Sequence, residues 1–282
     1  MLRSKNIKIE LSGVQKTLLM PLWGRAYETE KKEPVISDTY AKEIISKIDY
    51  DFSKMESGFS EMERLTWVIR AYQFDHAIKE FITKHDNSLI INIGAGLDTT
   101  FQRIDNGKVK WVNIDLPDVI SLRKKLMPDE ERELSIGKSV FDTSWTDDIR
   151  EIAKDRAIMI FAAGVFFYFE EEQIKRLFIT ISETYPKAHL VFDSFPKIVL
   201  RTWNKELKKG GKGKLDESAA PMKWYLSRAS KLQGWMNTLT VVDDYPLCSG
   251  ITFKKEWGKK IIFQIRVMNI LRLYNMIHVR FG

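Results

Sequence analysis

Two glycines and one aspartate carry the chemistry that can be read most directly from this chain. Gly94 and Gly96 follow the apolar run Ile90-Ile91-Asn92-Ile93, and Asp115 closes a second apolar run nineteen residues after Gly96. A strand entering a Gly-x-Gly turn, then a helix and a second strand ending in an acid, is how α/β folds hold an adenosine. The glycines let the backbone approach the ligand, and the carboxylate accepts from the ribose hydroxyls. Position 99 narrows the choice of adenosine. A dinucleotide site wants a third glycine there, so that a pyrophosphate can sit on the helix N-terminus, and this chain has Thr99. S-adenosylmethionine has no pyrophosphate, and its amino-acid tail can lie along the glycine turn. It is the leading cofactor, with a nicotinamide or flavin, and a chance match, as alternatives.

The elements that must position these residues form a helical start followed by alternation. Residues 37–48 and 60–84 carry apolar side chains at helical spacing, the second stretch without proline or glycine. Strand-like runs follow at Leu89–Ile93, Val109–Ile114, Lys138–Phe141, Ala157–Ala162 and His189–Phe192. Pro117–Leu126, Asp147–Ala153 and Glu170–Thr184 fit the crossover helices between them. Near-continuous apolar strands alternating with helices predict a mostly parallel sheet covered on both faces. Leu239–Val242 and Lys260–Val267 read as two further strands forming an antiparallel edge.

At 282 residues, a single domain with insertions is the economical reading. It divides into a helical cap (1–86), a cofactor-binding core (87–195), a helical lid insertion (196–236) and C-terminal strands (237–282). The lysine and glycine run from Lys208 to Lys214 has too little apolar content to pack, and suits a lid loop or an idle surface connection.

One cysteine, Cys248, precludes an internal disulfide, and the four histidines are widely separated without metal-ligand spacing, so no metal site is expected. The longest uncharged apolar run, Ala157–Phe169, has 13 residues, short of the roughly 20 needed to span a membrane. Charges at Arg3, Lys5, Lys8 and Glu10 interrupt any signal-peptide core. A cytoplasmic protein without a membrane partner is expected. The net charge of +7 is concentrated in residues 205–214 and 253–282, away from the glycine motif. Such runs more often make a solvated face than a nucleic-acid footprint, so no nucleic acid is expected. A monomer is the working expectation for oligomeric state.

Further segments resemble the leucine carboxyl methyltransferase family, particularly its bacterial and archaeal branch. They are Gly13-Val14-Gln15-Lys16-Thr17-Leu18-Leu19-Met20-Pro21-Leu22 with Arg25-Ala26, Val68-Ile69-Arg70 with Asp75, and Gly94-Ala95-Gly96-Leu97-Asp98-Thr99. Then come Asn113-Ile114-Asp115-Leu116-Pro117-Asp118-Val119-Ile120 with Arg123, Asp142 with Trp145, and Ala163-Gly164-Val165-Phe166-Phe167-Tyr168-Phe169. They stand in family order across residues 11–195. The resemblance implies a Rossmann-like class I methyltransferase fold, with seven strands and a helical cap, that methylates carboxylates or other oxygen nucleophiles from S-adenosylmethionine.

The resemblance also assigns roles. Thr17 and Arg70 would hold the cofactor's carboxylate; Gly94, Ala95 and Gly96 would pass beneath the methionine part. Asp115, with Leu116 beside it, would hold the ribose, although an aspartate before Pro117 also reads as a helix cap. Asp142 would accept from the adenine amino group with Thr143 beside the ring, or serve as an ordinary turn residue. Many members have an acid where this chain has Ala163, and that acid can engage the cofactor's ammonium. Backbone carbonyls or water would take its place here.

No acid–base catalytic motif is visible. An ionised carboxylate acceptor needs none, because holding the reacting centres in line can supply about 7–11 kcal/mol. Tyr168 is the catalytic candidate, since it follows the fourth strand beside the expected sulfonium. Aromatics with one cation give an acceptor pocket its shape: Trp23, Arg25, Tyr27, Tyr168, Trp203, Trp224 and Tyr225 are the candidates. A small-molecule acceptor leads. A protein C-terminal carboxylate, a cofactor-binding protein without catalysis, and RNA methylation are the alternatives.

Overall fold

The computed structural model describes residue 7, residues 18–208 and residues 220–282. Its strands are β1 (Ser88–Ile93), β2 (Lys110–Asp115), β3 (Glu133–Gly137), β4 (Ala157–Ala162), β5 (His189–Ser194), β6 (Leu239–Pro246) and β7 (Asn275–Phe281). They form one seven-stranded sheet in the order β3-β2-β1-β4-β5-β7-β6. The first five pair in parallel, and β7 enters antiparallel between β5 and β6. The strands alternate which face they serve. Leu89, Ile91 and Ile93 join the core on one side, whereas Ile90 joins the core on the other.

Four helices precede the sheet: α1 (Leu19–Thr29), α2 (Thr39–Lys47), α3 (Ser53–Gly58) and α4 (Glu61–Lys84). The 24 residues of α4 begin at a reciprocal cap, in which the Glu63 amide donates to Ser60 Oγ and the Ser60 amide donates to Glu63 Oε2. Between the parallel strands come α5 (Thr100–Ile104), α6 (Pro117–Leu126), α7 (Trp145–Asp148), α8 (Arg150–Ala153) and α9 (Glu171–Thr184). Finally α10 (Lys197–Lys208) precedes β6 and α11 (Lys259–Ile270) follows it.

Two strand expectations are corrected. Lys260–Val267 is part of α11, and the last strand is Asn275–Phe281 instead. The alternating Ile261, Phe263, Ile265 and Val267 mimic a strand, but only Ile261 and Ile265, one helical turn apart, are buried, and Phe263 is 66% exposed. The third strand is Glu133–Gly137, so residues 138–141 form the turn after it. The boundary was obscured because this outermost strand alternates Leu134 and Ile136 with polar residues. No helix among the described residues is long and apolar enough to cross a membrane.

The fold also gathers what the sequence keeps apart. All four histidines line one groove of about 460 Å³ between α4 and the strands β5 and β7. His189 Nδ1 and His278 Nε2 lie 2.8 Å apart, sharing one hydrogen bond. No group of three or more His, Cys, Asp or Glu with metal-binding geometry occurs among the described residues. Burial, then Arg280, His85 and Lys84, pushes His189 down to about 4; burial, then His189 and Lys84, does the same to His278. Between that value and the ordinary 6.5 the unfolded chain binds more protons, so stability rises with pH through this window. It is fully present above 6.5 and is lost as pH falls towards 4. Urea unfolding at a series of pH values should show this slope, and His278→Gln should flatten it; an identical slope in the variant would assign it to other groups.

Candidate active site

A cavity of about 380 Å³ opens at the carboxyl ends of β1, β2 and β4, where open α/β sheets hold their ligands. Its floor is the turn after β1. Gly94 and Gly96 adopt φ of +66° and +48°, and a Cβ would stand 2.5 Å from Val165 Cγ2 at the first and 2.6 Å from Leu18 Cδ2 at the second. Only glycine meets both demands without strain. The amides of Gly94 and Ala95 donate to the Ile114 carbonyl, which ties the turn to β2.

Asp115 ends β2 and faces this turn. Its Oδ2 accepts from the Gly96 amide at 2.8 Å and its Oδ1 from the Leu116 amide at 2.7 Å. Each carboxylate oxygen keeps further acceptor capacity, suited to two vicinal hydroxyls. Burial raises the Asp115 carboxyl above its ordinary value, against the two backbone amides that lower it. Asp115→Ala should weaken nucleoside binding by about 1.5–3 kcal/mol, read by calorimetric titration with S-adenosylhomocysteine. Unchanged affinity would place the ribose elsewhere.

The turn is held from behind by buried charges. Arg123, 1% exposed, donates from Nη1 to the carbonyls of Gly96 at 3.1 Å and Asp98 at 2.7 Å, and from Nη2 to Glu133 Oε1 at 2.9 Å. Asn113 Nδ2 donates to the same Glu133 oxygen at 2.7 Å. Thr99, in the place of a third glycine, is fully buried and donates its hydroxyl to Asp38. Asp38 also accepts from Arg25 Nε and Arg103 Nη1, each at 2.8 Å, while Arg103 makes a two-pronged contact with Asp75. Burial pushes the Asp38 carboxyl up, but Arg25, Arg103, Thr99 and the Ala41 amide outweigh it and hold it below its usual value. At Asp75 burial wins over Arg103 and the carboxyl is raised. This network joins α1 and α2 to the start of α5.

Arg70, on α4, brings a cation to the wall of the cavity beside Gly164. Its Nη1 donates to the Tyr274 hydroxyl at 3.3 Å and lies 3.6 Å from Asp193 Oδ2. Burial disfavours its charge, but Tyr274 and Asp193 more than restore it, raising its pKa above the ordinary arginine value. Gly164 must remain small beside it: φ is +78°, and a Cβ would come within 2.4 Å of Arg70 Nη1.

Of the residues singled out in the sequence, Arg25, Arg70, Gly94, Ala95, Gly96, Asp115, Leu116, Ala163 and Tyr168 line this one cavity. Thr17 lies outside the described residues. The cavity reaches Phe141 and stops short of Asp142 and Thr143; Asp142 Oδ1 accepts from the amide and hydroxyl of Ser144, as a turn residue does. Of the acceptor-pocket candidates, Trp23, Tyr27, Trp203, Trp224 and Tyr225 do not line this cavity. Trp23 is buried in the cap core and packs on Tyr27 at 5.4 Å between ring centroids. Trp203 Nε1 donates to the Ala220 carbonyl, Trp224 is buried against Phe192, and Tyr225 lies beneath Lys197. Arg25 reaches the cavity wall, but its guanidinium is committed to Asp38 and the Leu97 carbonyl. Trp67, Phe74, Phe141, Phe161 and Phe169, which had not been singled out as pocket residues, form the aromatic wall instead. Trp67 and Phe74 could have been found as neighbours of Arg70 on successive turns of α4.

The arrangement fits an adenosine with an amino-acid tail. The Gly94–Gly96 cradle admits close backbone contact, Asp115 has acceptor capacity for hydroxyls, and Arg70 gives the same cavity a cation suited to a carboxylate. Residues 18–182 match the family described as leucine carboxyl methyltransferase. The chain belongs to that family. Among its relatives, the tetracenomycin polyketide synthesis O-methyltransferase TcmP of Streptomyces glaucescens is 31% identical over 194 residues, 68% of this chain and 70% of that enzyme. The S-adenosyl-L-methionine-dependent methyltransferase dpfgK of Gibberella zeae is 26% identical over 183 residues, 60% of this chain and 61% of that protein. A crystal structure of a protein from Thermobifida fusca superposes with a TM-score of 0.58 at 11% identity, covering 92% of this chain and 94% of that one, and shares its fold. As a leucine carboxyl methyltransferase family member, the protein is an S-adenosylmethionine-dependent methyltransferase.

Proposed function

We propose that this protein is an O-methyltransferase that converts a carboxylate of a small, partly aromatic organic acid to its methyl ester. One observation carries the choice of acceptor: no histidine is among the described residues lining the cavity, and of its two aspartates Asp98 is held by neighbouring donors while the remaining acceptor capacity of Asp115 goes to the ribose. Asp98 accepts from Thr100 and Asn92, and Asp115 from two amides. A phenol would need a base to take its proton, whereas a carboxylate is ionised near neutral pH. The aromatic wall suits a flat acid, as does the similarity to TcmP, a polyketide O-methyltransferase by name.

S-adenosylmethionine bound here would supply a methyl group on a sulfonium, and its transfer to a carboxylate oxygen would form an O–CH3 bond, break the S–CH3 bond and move no proton. The chain's part is positional. Asp115 and the glycine turn would fix the nucleoside, Arg70 would fix the tail, and the aromatic wall would keep water out while charge is neutralised. Tyr168, on the turn after β4, stands at the acceptor end. Residues 196–208 and 220–236 form the lid of this proposal, and residues 209–219, with most of the lysine and glycine run, lie outside the described residues. The lid's segment 220–228 bonds to the same turn, with the Lys223 amide donating to the Phe167 carbonyl at 2.7 Å.

The test uses methyl-labelled cofactor with panels of aromatic acids and phenols. A carboxylate acceptor yields label released as methanol by mild alkali, and a rate flat across neutral pH. An alkali-stable product whose rate climbs with pH would assign a hydroxyl acceptor. Tight binding of S-adenosylhomocysteine without turnover on any panel would favour a binding protein.

A further inference from the structure

Behind Arg70 lie two residues with no role so far beyond their bonds to it. Asp193, on β5, is 1% exposed, and Tyr274, immediately before β7, is 6% exposed. The Tyr274 hydroxyl donates to Asp193 Oδ2, and the other carboxylate oxygen accepts from the Gly164 amide at 2.6 Å. A buried carboxylate is costly unless donors surround it, and here the donors come from β7's approach, the turn after β4, and α4.

We propose that Asp193 and Tyr274 are positioning residues that set both poles gripping the cofactor's amino-acid tail, an inference resting on the S-adenosylmethionine reading. The first pole is Arg70. Its Nη1 is held at 3.3 Å by Tyr274 and faces Asp193 at 3.6 Å, which leaves the rest of the guanidinium for a carboxylate. The second pole is the carbonyl of Ala163. A trans peptide is planar, with its N–H and C=O pointing in opposite directions, and no described peptide is cis. Because the Gly164 N–H points at Asp193, the Ala163 carbonyl oxygen points the other way. Ala163 lines the cavity, and in this proposal that oxygen, turned away from Asp193, is the acceptor for the cofactor's ammonium. One buried carboxylate thereby orients a cation for the tail's carboxylate and an acceptor for its ammonium.

The test compares two ligands. S-adenosylhomocysteine has the amino-acid tail; 5′-methylthioadenosine has the same nucleoside and sulfur without it. Tyr274→Phe keeps the ring that stacks on Phe195 at 4.1 Å and removes only the hydroxyl. It should lose about tenfold in affinity for S-adenosylhomocysteine and leave methylthioadenosine binding unchanged. Asp193→Asn, which loosens both poles, should lose more for the tailed ligand and again spare the other. Equal losses for both ligands in Tyr274→Phe would make these residues merely structural, and an unchanged affinity for the tailed ligand would also overturn the proposal. If the unsubstituted protein binds neither nucleoside, the cofactor reading itself fails, a result distinct from either.

Discussion

Gly164→Ala is expected to cost about ten- to hundredfold in affinity for S-adenosylhomocysteine while the protein remains folded. Two penalties combine at this position. An alanine at φ +78° sits in the left-handed region, which costs about 1–2 kcal/mol. The new methyl would also stand 2.4 Å from Arg70 Nη1, 3.0 Å from its Cζ and 3.2 Å from its Nη2. The guanidinium is the end of a long side chain and can swing away, so the fold survives. Swinging away breaks the contact with Tyr274 and removes the cation from the tail, worth about 1.5–3 kcal/mol for a charge-assisted bond. Calorimetric titration reads the affinity, and thermal unfolding reads the fold. Full affinity in a folded variant would show that Arg70 does not hold the tail.

Arg123→Met is expected to cost stability above all, by about 3–5 kcal/mol, the range for removing one partner of a buried ion pair. Glu133, whose side chain is 1% exposed, would lose its cation, and the carbonyls of Gly96 and Asp98 would lose their donor. Asn113 and Gln102 would still donate to Glu133, which limits the damage. Against a typical total of about 5–15 kcal/mol this is a large share. Adding Glu133→Leu should restore part of it, because no buried charge is then left unpaired. Denaturant midpoints for the single and double variants check both statements. A double variant no better than the single would mean that the loss comes from the glycine turn and not from Glu133.

What the sequence revealed follows how local each signal was. Pro117–Leu126 was legible to the residue, because proline at the first helical position and apolar spacing fall within ten positions. Gly94, Gly96 and Asp115 were legible because a turn and the end of the adjacent strand form a short-range pattern. Asp193 and Tyr274 left no such trace. They are 81 residues apart, and each alone resembles any polar residue near a strand. Two acceptor candidates stand away from the cavity for a related reason: Trp23 and Trp224 have the composition of a pocket and the burial of a core. Within α11, alternating apolar residues satisfy the strand period, and the packed structure separates the two readings by burying Ile261 and Ile265 alone and giving the sheet Asn275–Phe281 instead.

The position of β7 has a consequence for how the chain is made. Synthesis delivers β5, then β6, then β7, yet β6 touches the sheet only through β7. Until residues 275–281 have been made, the nascent chain is a five-stranded body whose β5 border lacks a neighbour, with β6 held in waiting. An open border of apolar strand is a template for pairing with other chains. The nascent protein is therefore most in need of chaperoning during the interval between β5 and β7. Tyr274 arrives with β7, so the same step that seals the border also brings the hydroxyl to Arg70.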